Sequence, residues 1–64
     1  MSLAGRGEIL VEFVVQGSYV KVTAIDPVSG TEASIVGPAS APQVALKSAV
    51  LRKLEYVLKK HSGA

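Results

Sequence analysis

A chain of 64 residues, of which 48% are hydrophobic, has room for one small globular domain. It contains no cysteine and one histidine, which excludes disulfides, thiolate zinc sites and sites built from several histidines. The formal net charge of +2 is low for a nucleic-acid-binding domain. Because the chain lacks cysteine and has one histidine, we expect no metal, and we expect no cofactor.

The charge is unevenly distributed along the chain. Residues 1–40 hold two basic and four acidic residues, whereas residues 41–64 hold five basic residues and one acidic residue. The first part of the chain is therefore slightly acidic, and the last part is basic.

The N-terminal residues 1–7 contain one arginine and no apolar run, so they do not resemble a secretory signal. No apolar segment approaches the ~20 residues of a membrane-spanning helix. We expect a cytoplasmic protein without membrane contact. Residues 1–7 are predicted to be a flexible head, 8–61 the single folded domain and 62–64 a flexible tail.

Residues 8–16 and 19–26 are predicted to form two strands joined by a tight turn. The pair Gly17-Ser18 suits a two-residue type II′ turn, which pairs Gln16 with Tyr19. This register places the apolar residues of one parity on the same sheet face, and a slip of one residue would scatter them over both faces.

A second turn is predicted between Asp26 and Thr31, because aspartate, proline and glycine occupy positions that favour a type I-like turn. A four-residue loop pairs Asp26 with Thr31 and leads into a third strand over residues 31–36. The central strand is then the second one, and the first and third strands are the edges.

Gly37-Pro38-Ala39 is predicted to end the sheet, and Ser40 to cap a helix with Gln43 completing a capping box. The helix is predicted to continue to about Lys60 and to cover the sheet from end to end. One apolar stripe runs along it and should pack on the sheet; its members are Val44, Leu46, Val50, Leu51, Leu54, Val57 and Leu58.

These elements predict an α+β fold of order β-β-β-α. A three-stranded antiparallel β-meander is packed on one face by a single C-terminal α-helix.

Several segments resemble a family of very short uncharacterised proteins from alphaproteobacteria, a domain of unknown function. The resemblance rests on residues 7–9, 19–27, 30–32, 35–38, 51–54 and 56–58. It implies no activity and no binding residues.

The sheet face opposite the helix, here called the outer face, is the first candidate site. Nothing else in the predicted fold covers it, so its apolar side chains either tolerate water or meet a protein partner. They are Leu10, Val14, Tyr19, Ile25 and Val36. A half-solvated antiparallel face with scattered apolar residues is the alternative interpretation. Glu12 and Lys21 are candidates for an ion pair on this face.

The second candidate is a basic helix face, defined by Arg52, Lys53, Tyr56, Lys59 and Lys60. Its cations are suited to phosphates and its tyrosine to base stacking. The alternative is a solvated face whose cations lie favourably near the negative end of the helix.

We expect no enzymatic activity, because no set of polar residues converges on a pocket. The predicted function is that of a protein-interaction module, with homodimerisation through the outer face as one form of it. Weak nucleic-acid binding by the basic helix face is the second hypothesis.

Overall fold

The computed structural model describes residues 8–62, and for residues 61 and 62 it describes the backbone alone. The predicted head, residues 1–7, lies outside the described residues. So do residues 63 and 64 of the predicted tail.

The described chain forms three strands followed by one helix. The strands are β1 (Leu10–Gln16), β2 (Tyr19–Ile25) and β3 (Glu32–Pro38), and the helix is α1 (Gln43–Ser62). The strands form one antiparallel sheet in the order β1-β2-β3. The predicted β-β-β-α fold is therefore confirmed.

The turn between β1 and β2 has the predicted two-residue length, and Gln16 pairs with Tyr19. Gly17 has a φ of 62°, and no described residue other than glycine has a positive φ. A type II′ turn has a positive φ at its first central position only, and the signs of φ at Gly17 and Ser18 agree with that type. The predicted register is confirmed.

The second turn is closed by Asp26. Its backbone N–H donates to the Thr31 carbonyl at 2.8 Å, and its carbonyl accepts from the Gly30 N–H at 2.8 Å. The carboxylate accepts from the Val28 N–H and from the Ser29 hydroxyl, each at 3.0 Å. Gly30 adopts a φ of 77°, which a residue without Cβ adopts without strain. The predicted pairing of Asp26 with Thr31 is confirmed.

The bounds of the strands differ from the prediction at four places. Two are shifts of one residue, because β2 ends at Ile25 instead of Asp26 and β3 begins at Glu32 instead of Thr31. The other two are larger. β1 begins at Leu10 instead of Glu8, and β3 continues to Pro38, although Gly37 and Pro38 were expected to end the sheet. Pro38 is tolerated because β3 is an edge strand, where a missing N–H can face away from the ladder.

The helix begins at Gln43, two residues later than a cap at Ser40 would place its start. The Pro42 carbonyl accepts from the Ala45 and Leu46 N–H groups, so Pro42 and not Ser40 is the N-cap residue. The predicted capping box is therefore wrong. The reason is that the Ala41 N–H bonds to the Pro38 carbonyl, which holds residues 38–41 in a turn before the helix starts. At its other end the helix reaches Ser62.

The core lies between the helix and the sheet. Its fully buried side chains come from β2, β3 and α1, and none comes from β1. They are Val20, Val22, Ala24, Ala33, Leu46, Val50 and Leu54. Val11 and Phe13 of β1 pack against this cluster while remaining half-buried.

The helix runs antiparallel to β3. A Cβ added to Gly37 would lie 2.6 Å from a methyl carbon of Leu46, and the Lys53 ammonium donates to the Ser34 carbonyl at 2.8 Å. From Leu46 to Lys53 the helix advances seven residues, or roughly 10 Å, and from Gly37 back to Ser34 the strand covers three residues, or roughly the same distance. The helix therefore runs along β3 in the opposite direction.

The helix covers β1 only in part: Val11 and Phe13 pack against the core, whereas Val15 does not. The helix packs on β3 and β2, and Val15 on the helix side of β1 is 67% exposed. A helix is about 10 Å wide and strands are about 4.8 Å apart, so one helix covers about two strands. Val44 is 80% exposed and does not belong to the packed stripe, because it lies about 200° around the helix from buried Leu46.

Candidate interaction surfaces

The outer face is built by alternate residues of three paired strands. Because successive side chains point to opposite faces, the register gathers all five predicted interface residues on the side away from the helix. Across the three strands the rows are Leu10–Ile25–Glu32, Glu12–Thr23–Ser34, Val14–Lys21–Val36 and Gln16–Tyr19–Pro38.

Four of the five predicted side chains are open to solvent. Leu10 is 44% exposed, Val14 49%, Tyr19 44% and Val36 64%. Ile25 is half-buried. The structure therefore places all five residues on one face, where they occupy three of its four rows.

A polar row interrupts the apolar residues. The hydroxyls of Thr23 and Ser34 lie 3.0 Å apart in a hydrogen bond, and Glu12 is next to Thr23 in the same row. At the far end of the face the Tyr19 hydroxyl donates to the Gln16 side-chain oxygen at 3.0 Å. The face thus combines exposed apolar groups with polar groups whose partners lie within the sheet.

Glu12 and Lys21, the candidates for an ion pair, are not joined in the structure. Glu12 is opposite Thr23 and Lys21 is opposite Val14, so the two charged residues are diagonal neighbours roughly 7–8 Å apart at their backbones. Both side chains are exposed.

The basic helix face is exposed at all five of its residues, as predicted from the helical period. Two of its four cations already have contacts. The Lys53 ammonium is bonded to the Ser34 carbonyl, and the Lys60 ammonium lies 5.9 Å from the centroid of the Tyr56 ring. The structure brings these residues together on one side of the helix, with Lys53 directed to the edge of β3.

A third surface, the helix-side strip of β1, was not identified from the sequence. It consists of Val11, Phe13 and Val15, which lie on the sheet face that packs against the helix. The first two are half-buried and Val15 is exposed. The strip could not be found from periodicity, because the strand pattern shows which residues face the helix layer but not how far the helix extends sideways.

Within residues 8–62 there is no detectable cavity and no group of three side chains suited to bind a metal ion. The one helix in this part of the chain is not apolar enough to cross a membrane.

Comparison with known proteins gives a family match and nothing closer. A family model described as "Domain of unknown function (DUF6898)" matches residues 6–61, which is nearly the whole chain. No curated protein and no solved structure matches. The resemblance to a family of unknown function is thereby confirmed, while the origin in alphaproteobacteria stays a prediction. The chain belongs to the DUF6898 family, a domain of unknown function.

Proposed function

We propose that this chain is a non-enzymatic protein-interaction module of the cytoplasm, whose outer face meets a protein partner. The observation that carries the proposal is the exposure of Leu10, Val14, Tyr19 and Val36, between 44% and 64%, on one side of the sheet. Apolar surface removed from water contributes roughly 25 cal/mol per Å², so covering these side chains favours association.

The row Val14–Lys21–Val36 is the centre of the proposed contact. Its two valines flank the lysine of the central strand, and a lysine stem adds apolar surface while its charge stays in solvent. We expect a partner with an apolar ridge, an anionic group facing Lys21 and a cationic group facing Glu12 or Glu32.

Val36→Lys tests the face without changing the core, because this side chain is 64% exposed. The measurement is a pull-down from the native cell with the chain as bait. We expect Val36→Lys to reduce the amount of partner retained at least about tenfold, since a charge replaces apolar contact at the interface. Val44→Lys is the matched control: Val44 is 80% exposed and lies on the helix, and its replacement should leave capture unchanged.

Identification of a captured protein is followed by its titration into isotope-labelled chain. The expected result is chemical-shift changes confined to the outer face. Equal capture by both variants, or shifts on the helix alone, would refute the proposal. If the captured molecule is a second copy of the chain and depends on Val36, the homodimeric form of the prediction is correct.

Weak nucleic-acid binding is the second candidate function, and the shared exposure of all five residues of the basic helix face favours it. The test is fluorescence anisotropy with a single-stranded RNA oligonucleotide at several salt concentrations. Binding that weakens with salt and is reduced by Lys59→Ala with Lys60→Ala would support this function. No change in anisotropy at low salt would eliminate it.

A further inference from the structure

Along the free edge of β1, the backbone groups of alternate residues have no partner strand among the described residues. A two-residue loop makes Gln16 and Tyr19 a mutually hydrogen-bonded pair, and such pairs alternate along an antiparallel ladder. Glu12 and Val14 therefore direct their N–H and C=O groups to β2. The corresponding groups of the helix-side strip, Val11, Phe13 and Val15, point away from the sheet.

The free edge of β3 is protected in two ways. The Lys53 ammonium donates a hydrogen bond to the Ser34 carbonyl, and Pro38 has no N–H that a second strand could bond. Lysine and proline are devices by which edge strands avoid pairing with other chains. β1 contains neither residue, and no described side chain bonds to the backbone of its free edge.

We propose that the free edge of β1 pairs with β1 of a second copy, antiparallel about a twofold axis at Phe13. This interaction surface is distinct from the outer face, so it goes beyond the proposed function and does not depend on it. Pairing joins the two sheets into one sheet of six strands, with both helices on the same side.

The register follows from overlap and charge. An axis at Phe13, the middle of the strand, pairs all seven residues and sets Val11 opposite the partner subunit's Val15. Glu12 then faces the partner subunit's Val14. An axis moved to Glu12 would set two carboxylates directly opposite each other, which is destabilising, and would shorten the overlap.

The pairing provides partners for the backbone groups and the side chains of β1 that the helix does not cover. About six backbone hydrogen bonds form along the seven residues, because the edge-facing residues of both copies meet as hydrogen-bonded pairs. The helix-side strip, including Val15 at 67% exposure, is flanked by the same three side chains of the second copy. A 64-residue domain has a thin core, and self-association is one of the ways in which such domains gain stability.

The size of the contact sets the expected affinity. A seven-residue strand is about 24 Å long, and edge pairing of that length buries less than the roughly 1,200 Å² at which standard interfaces begin. We therefore expect a dimer that forms with rising concentration, not a permanent one.

Sedimentation velocity of the full chain from about 1 µM to about 1 mM tests the proposal, together with Val15→Lys and Val36→Lys. The two valines have similar exposure, 67% and 64%, but lie on different edge strands and faces. We expect Val15→Lys to raise the dissociation constant about tenfold or more and Val36→Lys to leave it unchanged. A chain that stays monomeric throughout the range overturns the proposal, as does a dimer weakened by Val36→Lys alone.

Hydrogen exchange of the wild-type chain provides a second readout that needs no variant. The amides of Val11, Phe13 and Val15 should become protected as the concentration rises, because they change from solvent to a hydrogen-bonded ladder. The amides of Ser34 and Val36, at the edge of β3, should not change. Protection that rises at β3 or at neither edge would overturn the proposal.

Discussion

β1 and β3 occupy equivalent positions in the sheet, on either side of β2, but differ in every aspect of their protection. β3 lies under the helix, buries Ala33 and has its edge contacted by Lys53. β1 has no fully buried residue and an edge without a side-chain partner among the described residues. The comparison shows that a single helix fully buries side chains of β3 and β2 only, and leaves β1 partly covered, with Val11 and Phe13 half-buried and Val15 exposed.

The largest effect on stability is expected for one of two valines that lie opposite each other on the helix-side face. Val20 of β2 is 4% exposed and Val15 of β1 is 67% exposed. We expect Val20→Ala to cost about 2 kcal/mol of unfolding free energy, from lost burial and a residual cavity. Val15→Ala should cost less than about 0.5 kcal/mol.

Urea denaturation measures both variants at one low protein concentration, so that association does not contribute. Equal losses for Val20→Ala and Val15→Ala would show that β1 is covered as well as β2, and the comparison of the two edges would fail.

A smaller effect is expected at the contact that positions the helix over β3. Gly37→Ala would bring a Cβ within 2.6 Å of a Leu46 methyl carbon, and Leu46 is buried. Accommodating the extra methyl group should cost about 1–2 kcal/mol. In a Leu46→Ala background the same change should cost almost nothing, because the clashing atom is absent.

Denaturation of the two single variants and the double variant gives the coupling between these sites. Additive losses would mean that Gly37 does not determine the approach of the helix to β3.

The smallest effect on stability is expected for Lys53→Ala, which removes the contact between the helix and the edge of β3. An exposed hydrogen bond of this kind contributes less than about 1 kcal/mol. Loss of this hydrogen bond should increase association of the chain more than it lowers stability, because the Ser34 carbonyl at the edge of β3 can then accept a bond from another chain.

Sedimentation at high concentration should detect additional association in Lys53→Ala and none in Lys59→Ala, a matched lysine of the same helix with no described contact. If both variants behave like wild type, the lysine does not protect the edge.

Much of the sheet follows from local sequence. Gly17-Ser18 and the Asp26 turn each impose a loop length, and the two-residue period of the strands agrees with only one register. The pattern alone therefore assigns the five apolar residues of the outer face to one side. The helix start was missed because Ser40 has the side chain of a cap, whereas a backbone bond from Ala41 to Pro38 keeps that segment in a turn.

The sequence by itself determined the order of the elements, the pairing of the strands and the side of the sheet on which each strand residue lies, because turns and side-chain alternation act over a few neighbouring residues. Only the tertiary structure decided where the helix lies across the sheet. That position depends on the short connection from β3, on the close approach of Leu46 to Gly37 and on the reach of Lys53, which are contacts between distant residues. The exposed strip and free edge of β1 are a consequence of that position.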